Sequence, residues 1–115
     1  METETKIPKN YFAIPGIKSM RITTERIMKT VCEFYDYVPE EITRKTRKRK
    51  IVQVRQIAMY FSKKYKTDSL SITGLKIGGK DHATVLHASK TVQNLIDTDK
   101  KIDAEIDHLR HKLES

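Results

Sequence analysis

The polar residues Asp81, His82 and Thr84 could bind the edges of nucleic-acid bases, and they follow a pair of glycines. Glycines at 78–79 permit the positive φ angles of a tight turn, which other residues resist. Asp81 is then a natural N-cap, because its carboxylate can accept from the free N–H groups of a first helical turn. His82, Ala83 and Thr84 would lie on that turn, where a recognition helix contacts DNA.

Positive charge is concentrated ahead of this segment. The chain has 115 residues, a net charge of +8 and a pI of about 9.6. From Thr43 to Lys66 there is no acidic residue, and the ten basic residues are Arg44, Lys45, Arg47, Lys48, Arg49, Lys50, Arg55, Lys63, Lys64 and Lys66. A solvated helix face is the ordinary explanation of a charge run. Because this run has no balancing acids and precedes a helix-turn-helix pattern, it favours nucleic-acid binding.

Composition limits the other classes of protein. A hydrophobic content of 37% supports one small domain. No stretch is apolar enough to span a bilayer, and the acidic N-terminus lacks the apolar core of a secretion signal. The single cysteine, Cys32, cannot form an internal disulfide, which fits a reducing compartment. We therefore expect a cytoplasmic, nucleoid-associated protein with no membrane partner.

Apolar residues at helical spacing predict an all-α fold, a small helical bundle containing a helix-turn-helix. A first helix should begin at Thr23 or Thr24, and a short turn with Pro39 near its start should follow. The remaining predicted helices are an amphipathic one over 51–65, a short one over 70–77, a longer one from Asp81 to a break at 97–99, and a final one with its apolar stripe at Ile102, Ile106, Leu109 and Leu113.

The chain divides into two parts. Residues 1–20 carry Pro8, Pro15 and Gly16 without periodicity, and we expect a flexible arm. Its residues Tyr11, Phe12 and Ile14 could instead be pinned to the domain. Residues 21–115 form the expected helix-turn-helix domain.

The run from Gly74 to Ala88 closely resembles the signature of the C-terminal DNA-binding domain (domain IV) of DnaA, the bacterial chromosomal replication initiator. The segments at 27–35, 44–49 and 55–59 resemble its first helix, its basic loop and the start of its next helix. The resemblance covers about residues 21–113 and implies a TrpR-like, DnaA C-terminal domain-like fold.

The resemblance implies contacts to the DNA grooves. Arg47 matches the family's minor-groove arginine, which would sense the narrow groove of A·T-rich DNA. Leu70 matches a position that packs near the bases. The residues that match the major-groove segment are Lys80, Asp81, His82, Ala83 and Thr84. A carboxylate there can accept from cytosine N4, and the methyl of Ala83 can contact thymine.

The resemblance also implies contacts to the phosphate backbone. Arg55, Gln56 and Lys63 match positions that hold phosphates and set register. The other predicted phosphate contacts are Arg44, Lys45, Arg49 and Lys64.

Several residues depart from the family's usual pattern. Ala83 replaces a threonine, and Lys80 replaces an arginine and so loses the bidentate fork. Ser71 and Ile72 replace a Pro-Glu pair, which removes the capping box. We expect these departures to affect which DNA sequence the domain prefers.

The initiator also carries an ATPase module, and we see none in this sequence. Gly74 to Asp81 matches a P-loop until its last residue, but Asp81 would repel phosphate and lacks the hydroxyl that binds Mg²⁺. We expect no nucleotide, cofactor, metal site or enzyme activity. We hypothesise a free-standing domain that competes for or marks initiator-type sites, in a phage or a mobile element.

The sequence therefore predicts sequence-specific binding of double-stranded DNA resembling DnaA recognition of replication-origin boxes. The alternative is a basic module that docks an acidic protein partner or binds DNA without sequence preference. A monomer on DNA is favoured. The exact site, the oligomeric state, the role of residues 1–20 and the biological setting (replication or transcription regulation) stay open.

Overall fold

The computed structural model of the protein describes residues 21–79 and 81–115. All regular structure in these ranges is helical, as the sequence predicted. Their helices are α1 (Thr24–Tyr35), α2 (Pro39–Thr43), α3 (Arg49–Tyr65), α4 (Leu70–Gly78), α5 (His82–Thr98) and α6 (Lys100–Glu114). The predicted arm at 1–20 lies outside the described residues, and so does Lys80.

Short polar side chains fix where most of these helices begin. Thr23, Ser69, Asp81 and Asp99 each accept a hydrogen bond from a backbone N–H two or three residues further on. The predicted cap at Asp81 is confirmed. At α4 the serine half of a capping box remains, but its third helical residue, Ile72, has no carboxylate to return the bond.

Left-handed backbone conformations end three of the helices. Asp36 ends α1 at φ 65°, Lys66 ends α3 at φ 53°, and Gly79 ends α4 at φ 62°. Only Gly79 of the predicted glycine turn takes a positive φ, because Gly78 is still the last residue of α4. The chain reverses there and enters α5.

A single core joins all six helices. Its largest fully buried side chain is Phe61 of α3. The other core residues are Ile27, Met28, Val31, Cys32, Ile42, Val54, Ile57, Ala58, Met59, Ile77, Val85, Ala88, Val92, Ile102, Ile106, Leu109 and Leu113. The predicted stripe of α6 is therefore buried, and α6 covers the back of the bundle against α1 and α5. None of the helices in the described ranges is long and apolar enough to cross a lipid bilayer.

Helices α3 and α5 share the most extensive contact among the described helices, and α4 packs against both. Helix α5 buries a stripe of Val85, Ala88 and Val92. The first half of α3 borders one flank of that stripe, and Lys63 near the end of α3 borders the other. Helix α3 thus passes beneath α5 and emerges on both sides of it.

A polar network ties α4 to α1. The buried hydroxyl of Thr24 donates to the carboxylate of Asp68, at 2.7 Å. The ammonium of Lys76 lies 2.9 Å from Asp68 and 2.9 Å from Glu25. Hydrogen bonds from Lys76, and then from Thr24, hold the pKa of Asp68 below its usual range. The start of the helix-turn-helix is thereby fixed to the rest of the bundle.

The sequence placed one helix boundary too early. We predicted that residues 97–99 would break the helix, but α5 continues through Thr98. Only Asp99 leaves the helix, with φ −128° and ψ 107°. Its carboxylate accepts from the N–H groups of Lys101 and Ile102, so the same residue ends α5 and caps α6.

We predict that Gly79→Ala lowers the free energy of unfolding by about 1 kcal/mol, because a Cβ disfavours the left-handed conformation. The added Cβ would meet no atom of the described residues within 4 Å, so the loss arises from the backbone alone. Urea unfolding followed by circular dichroism measures it. Gly79→Asn is the matched control and should lose less, since asparagine tolerates this conformation. Equal stability of wild type and Gly79→Ala would contradict the assignment.

Candidate nucleic-acid interface

The first turn of α5 presents polar groups to solvent. Asp81, His82 and Ala83 are exposed, and Thr84 is half-buried. Oδ1 of Asp81 accepts from both the backbone N–H of Thr84, at 3.0 Å, and the hydroxyl of Thr84, at 2.9 Å. Oδ2 of Asp81 has no hydrogen bond within the described part of the chain. The helix start thus holds a carboxylate whose second oxygen can accept a hydrogen bond.

The hydrogen bonds at the start of α5 determine the charge of Asp81 and which hydrogen bonds Asp81 and Thr84 can still form. The hydrogen bonds from Thr84, first from its backbone and then from its hydroxyl, hold the pKa of Asp81 below its usual range, so the carboxylate stays ionised at neutral pH. Because the Thr84 hydroxyl gives its proton to Asp81, its own oxygen can only accept. The pair therefore suits donors such as the exocyclic amines of cytosine or adenine.

A basic loop, residues 44–48, lies beside α5. It joins α2 to α3, and the basic side chains at its two ends, Arg44 and Lys48, are exposed. Arg47 borders the same surface depression as Gln56 of α3 and as Thr84 and His87 of α5. The structure therefore brings together the predicted minor-groove residue and the predicted major-groove helix.

The side chain of Arg55, which the sequence predicted as a phosphate contact, lies largely inside the protein. This side chain is only 7% exposed. Its Nε donates to the carbonyl of Ile42 and its Nη2 to the carbonyl of Arg44, both at 2.7 Å. Burial lowers the pKa of the guanidinium from its ordinary value. Because two of its donor groups are used inside the protein, Arg55 supports the basic loop from within.

The other predicted phosphate contacts lie at the surface. Lys63 borders a shallow depression with Leu86 and Lys90 of α5. Lys64 is also exposed but is displaced from Lys63 by about 100° around the helix. Arg44, Lys45 and Arg49 are exposed in or next to the basic loop, and Gln56 is half-buried at its base.

The other two predicted groove residues are Leu70 and Lys80. Leu70, the first residue of α4, is half-buried and packs on the core. Lys80 is outside the described residues, so its place in the site remains a prediction.

Two residues of α5 that the sequence did not predict as site residues border the same surface. His87 borders the depression next to Arg47, and Lys90 borders the one next to Lys63. Helical spacing could have found Lys90, because it lies two turns after Ala83 on nearly the same face. His87 is exposed.

The remaining metal-binding and nucleophilic residue types lie apart. Within the described ranges, no group of three His, Cys, Asp or Glu side chains could hold a metal ion. Cys32 is fully buried in the core, and burial raises the pKa of its thiol to about 11. The ring of His108 packs against Phe34, with centroids 5.3 Å apart.

The fold and the site together define a DNA-binding helix-turn-helix domain, with α4 as the first helix and α5 as the second. A family model described as "Bacterial dnaA protein helix-turn-helix" matches residues 24–92. The chain therefore belongs to this bacterial DnaA family.

Curated relatives support this assignment. The chain is 46% identical over 92 residues to the chromosomal replication initiator protein DnaA of Flavobacterium psychrophilum, covering 80% of this chain and 19% of the relative. It is 47% identical over 92 residues to the protein of the same name from Bacteroides thetaiotaomicron, covering 80% and 20%. For the protein of Wolbachia pipientis wMel the identity is 45% over 89 residues, covering 77% and 19%. The chain thus spans about a fifth of the length of these relatives.

We predict that Asp81→Ala lowers the thermal unfolding midpoint by about 5 °C, because α5 loses its N-cap. Asp81→Asn should keep most of the stability, since asparagine is also a good cap, while it removes the carboxylate. Differential scanning calorimetry measures both variants. Equal losses in the two variants would show that the charge, and not the cap, stabilises the helix start.

Proposed function

We propose that this domain binds double-stranded DNA with preference for the origin boxes that DnaA proteins recognise. Helix α5 enters the major groove through its N-terminal turn, and Arg47 enters the adjacent minor groove. The observation that carries this proposal is the shared depression that Arg47 borders with Thr84 and His87. Because the loop and the helix start flank one surface, one rigid body can present both to a duplex.

The major-groove contacts follow from the types of group at the start of α5. The free oxygen of Asp81 accepts from a cytosine or adenine amine, and His82 bonds a base edge or a phosphate. Ala83 offers a methyl group to thymine. Lys80 joins this set on the basis of the sequence.

The phosphate contacts flank the groove contacts on both sides. Lys63 and Lys90 lie along one flank of α5, and Gln56 lies along the other. The further members of the proposed set are Arg44, Lys45, Arg49 and Lys64. Cations on both flanks of the recognition helix can neutralise phosphates on both strands, which fixes the register of the helix.

The relatives are named as chromosomal replication initiators, and we extend only the DNA-binding part of that role to this chain. The domain directs binding to initiator-type DNA sites.

Fluorescence anisotropy tests the proposal with a duplex that carries the family's box and a scrambled duplex of equal composition, at two salt concentrations. The proposal predicts tighter binding to the box at both salts. Binding that is strong, salt-dependent and equal for the two duplexes would replace it with a basic module without sequence preference.

We predict that Arg47→Ala and His82→Ala each reduce the preference for the box by about 1–3 kcal/mol, the size of one good groove contact. Competition anisotropy with both duplexes measures the preference. Lys101→Ala, an exposed lysine on α6, is the control and should change nothing. An unchanged preference in both site variants would show that α5 is not the recognition helix.

Lys63→Ala should instead weaken binding to both duplexes alike and lower the slope of log affinity against log salt by about one. Anisotropy at five or more salt concentrations gives the slope. A loss confined to the box would move Lys63 from the phosphate contacts to the base contacts.

A further inference from the structure

Arg55 is the buried charged residue next to the proposed interface. Its guanidinium lies under the basic loop and donates to two backbone carbonyls that are two residues apart, Ile42 and Arg44. The side chain of Ile42 is itself fully buried in the core. The loop therefore leaves the bundle from a residue held by the core, and its first residue is held by Arg55.

Arg55 borders the same depression as Arg47, Thr84 and His87. We propose that Arg55 is a positioning residue that sets the DNA preference of the domain through the basic loop. It acts by fixing the path of the basic loop and hence the place of Arg47. This inference rests on the proposed function, because it assigns the reader of the minor groove to that loop.

The loop needs such an anchor because of its charge. Four of its five residues are basic, namely Arg44, Lys45, Arg47 and Lys48. Like charges this close repel one another, so the loop would spread without an anchor. At its far end, the Oγ1 of Thr46 accepts from the N–H of Lys48 at 3.3 Å, next to the start of α3. Arg47 thus lies between two anchored points.

The geometry also explains why the anchor is arginine. A guanidinium presents several N–H groups in one rigid plane, so two carbonyls can be held at once in a fixed relation. An ammonium has a single nitrogen on a flexible stem. Burying a charge is costly unless it is hydrogen-bonded, and the two carbonyls provide these bonds here. Because backbone carbonyls carry no net charge, this contact fixes the position of the loop and leaves its positive charge unbalanced.

A direct phosphate contact and a positioning role predict different results for Arg55→Lys. Lysine keeps the positive charge, so a phosphate contact would largely survive and the box preference would stay. A positioning role predicts that the preference falls about tenfold, as for loss of one groove contact. The dependence of affinity on salt should stay unchanged, because the charge is kept and no phosphate contact is lost. Arg110→Lys on α6, which lies outside the proposed interface, is the matched control, and the box preference should not change.

A double-variant cycle separates positioning from a general loss of structure. If Arg55 acts through Arg47, Arg55→Lys should cause no further loss of box preference in a protein that already carries Arg47→Ala. Losses that add in the double variant would overturn the proposal.

The wild-type protein provides a test that does not depend on a folded variant. In ¹⁵N–¹H spectra without DNA, the Nε–H signal of Arg55, assigned through its own side-chain carbons, should exchange slowly with water because it is buried and bonded. It should stay at the same position after box DNA is added. A rapidly exchanging signal, or one that shifts strongly with DNA, would overturn the proposal. Because the exchange is measured without DNA, it tests the anchor even if wild type shows no preference for the box, a result that would refute the proposed function instead.

Discussion

The crossing of α3 beneath α5 is the constraint on which the rest of the structure depends. Both helices bury apolar stripes in one core, whose largest fully buried side chain is Phe61 of α3. Because α3 is longer than the width of α5, its two ends emerge on opposite sides of α5. One packing arrangement therefore puts the basic loop on one flank of α5 and Lys63 on the other. A change that tilted α3 would move both sets of cations together.

Hydrogen bonds to and from charged side chains set the positions of the helix ends and of the basic loop around this pair of helices. Asp81 fixes the start of α5, the network around Asp68 holds α4 to α1, and Arg55 holds the basic loop. In each case, the hydrogen bonds of a charged side chain fix the position of a segment that hydrophobic packing alone would not fix. A domain with a small core can in this way present a surface precise enough for recognition.

Much of the fold could be predicted from the sequence, because local rules decide it. Asp81 can cap any helix that follows it, and helical periodicity alone predicts the apolar stripe from Ile102 to Leu113. The end of α5 was misplaced because three polar residues in a row suggest a break, whereas only Asp99 has a second helix to cap. The position at which the next helix begins decides which member of such a cluster leaves the helix.

The site could be predicted less well, because side chains of the same type have different roles. Arg55 and Lys63 both belong to the basic run, and both matched positions that hold phosphates. The carbonyls of Ile42 and Arg44 bind one of them in the interior, and no sequence pattern places those carbonyls there. Lys90 was overlooked because it lies outside the matched motif, although α5 places it next to Lys63. Tertiary contacts, and not residue type, separate the exposed cation from the buried one.

The central claim is that one rigid surface reads two grooves, and base substitution in the DNA tests it most directly. An inosine·cytosine pair keeps the minor-groove pattern of A·T but presents the major-groove pattern of G·C. Each A·T pair of the box would be changed in turn to inosine·cytosine and to G·C, and the affinities compared by competition anisotropy. The account predicts two adjacent groups of positions, one sensitive to both changes, facing α5, and one sensitive to G·C alone, facing Arg47. Equal responses to the two changes at every sensitive position would contradict it, because the domain would then read the major groove only.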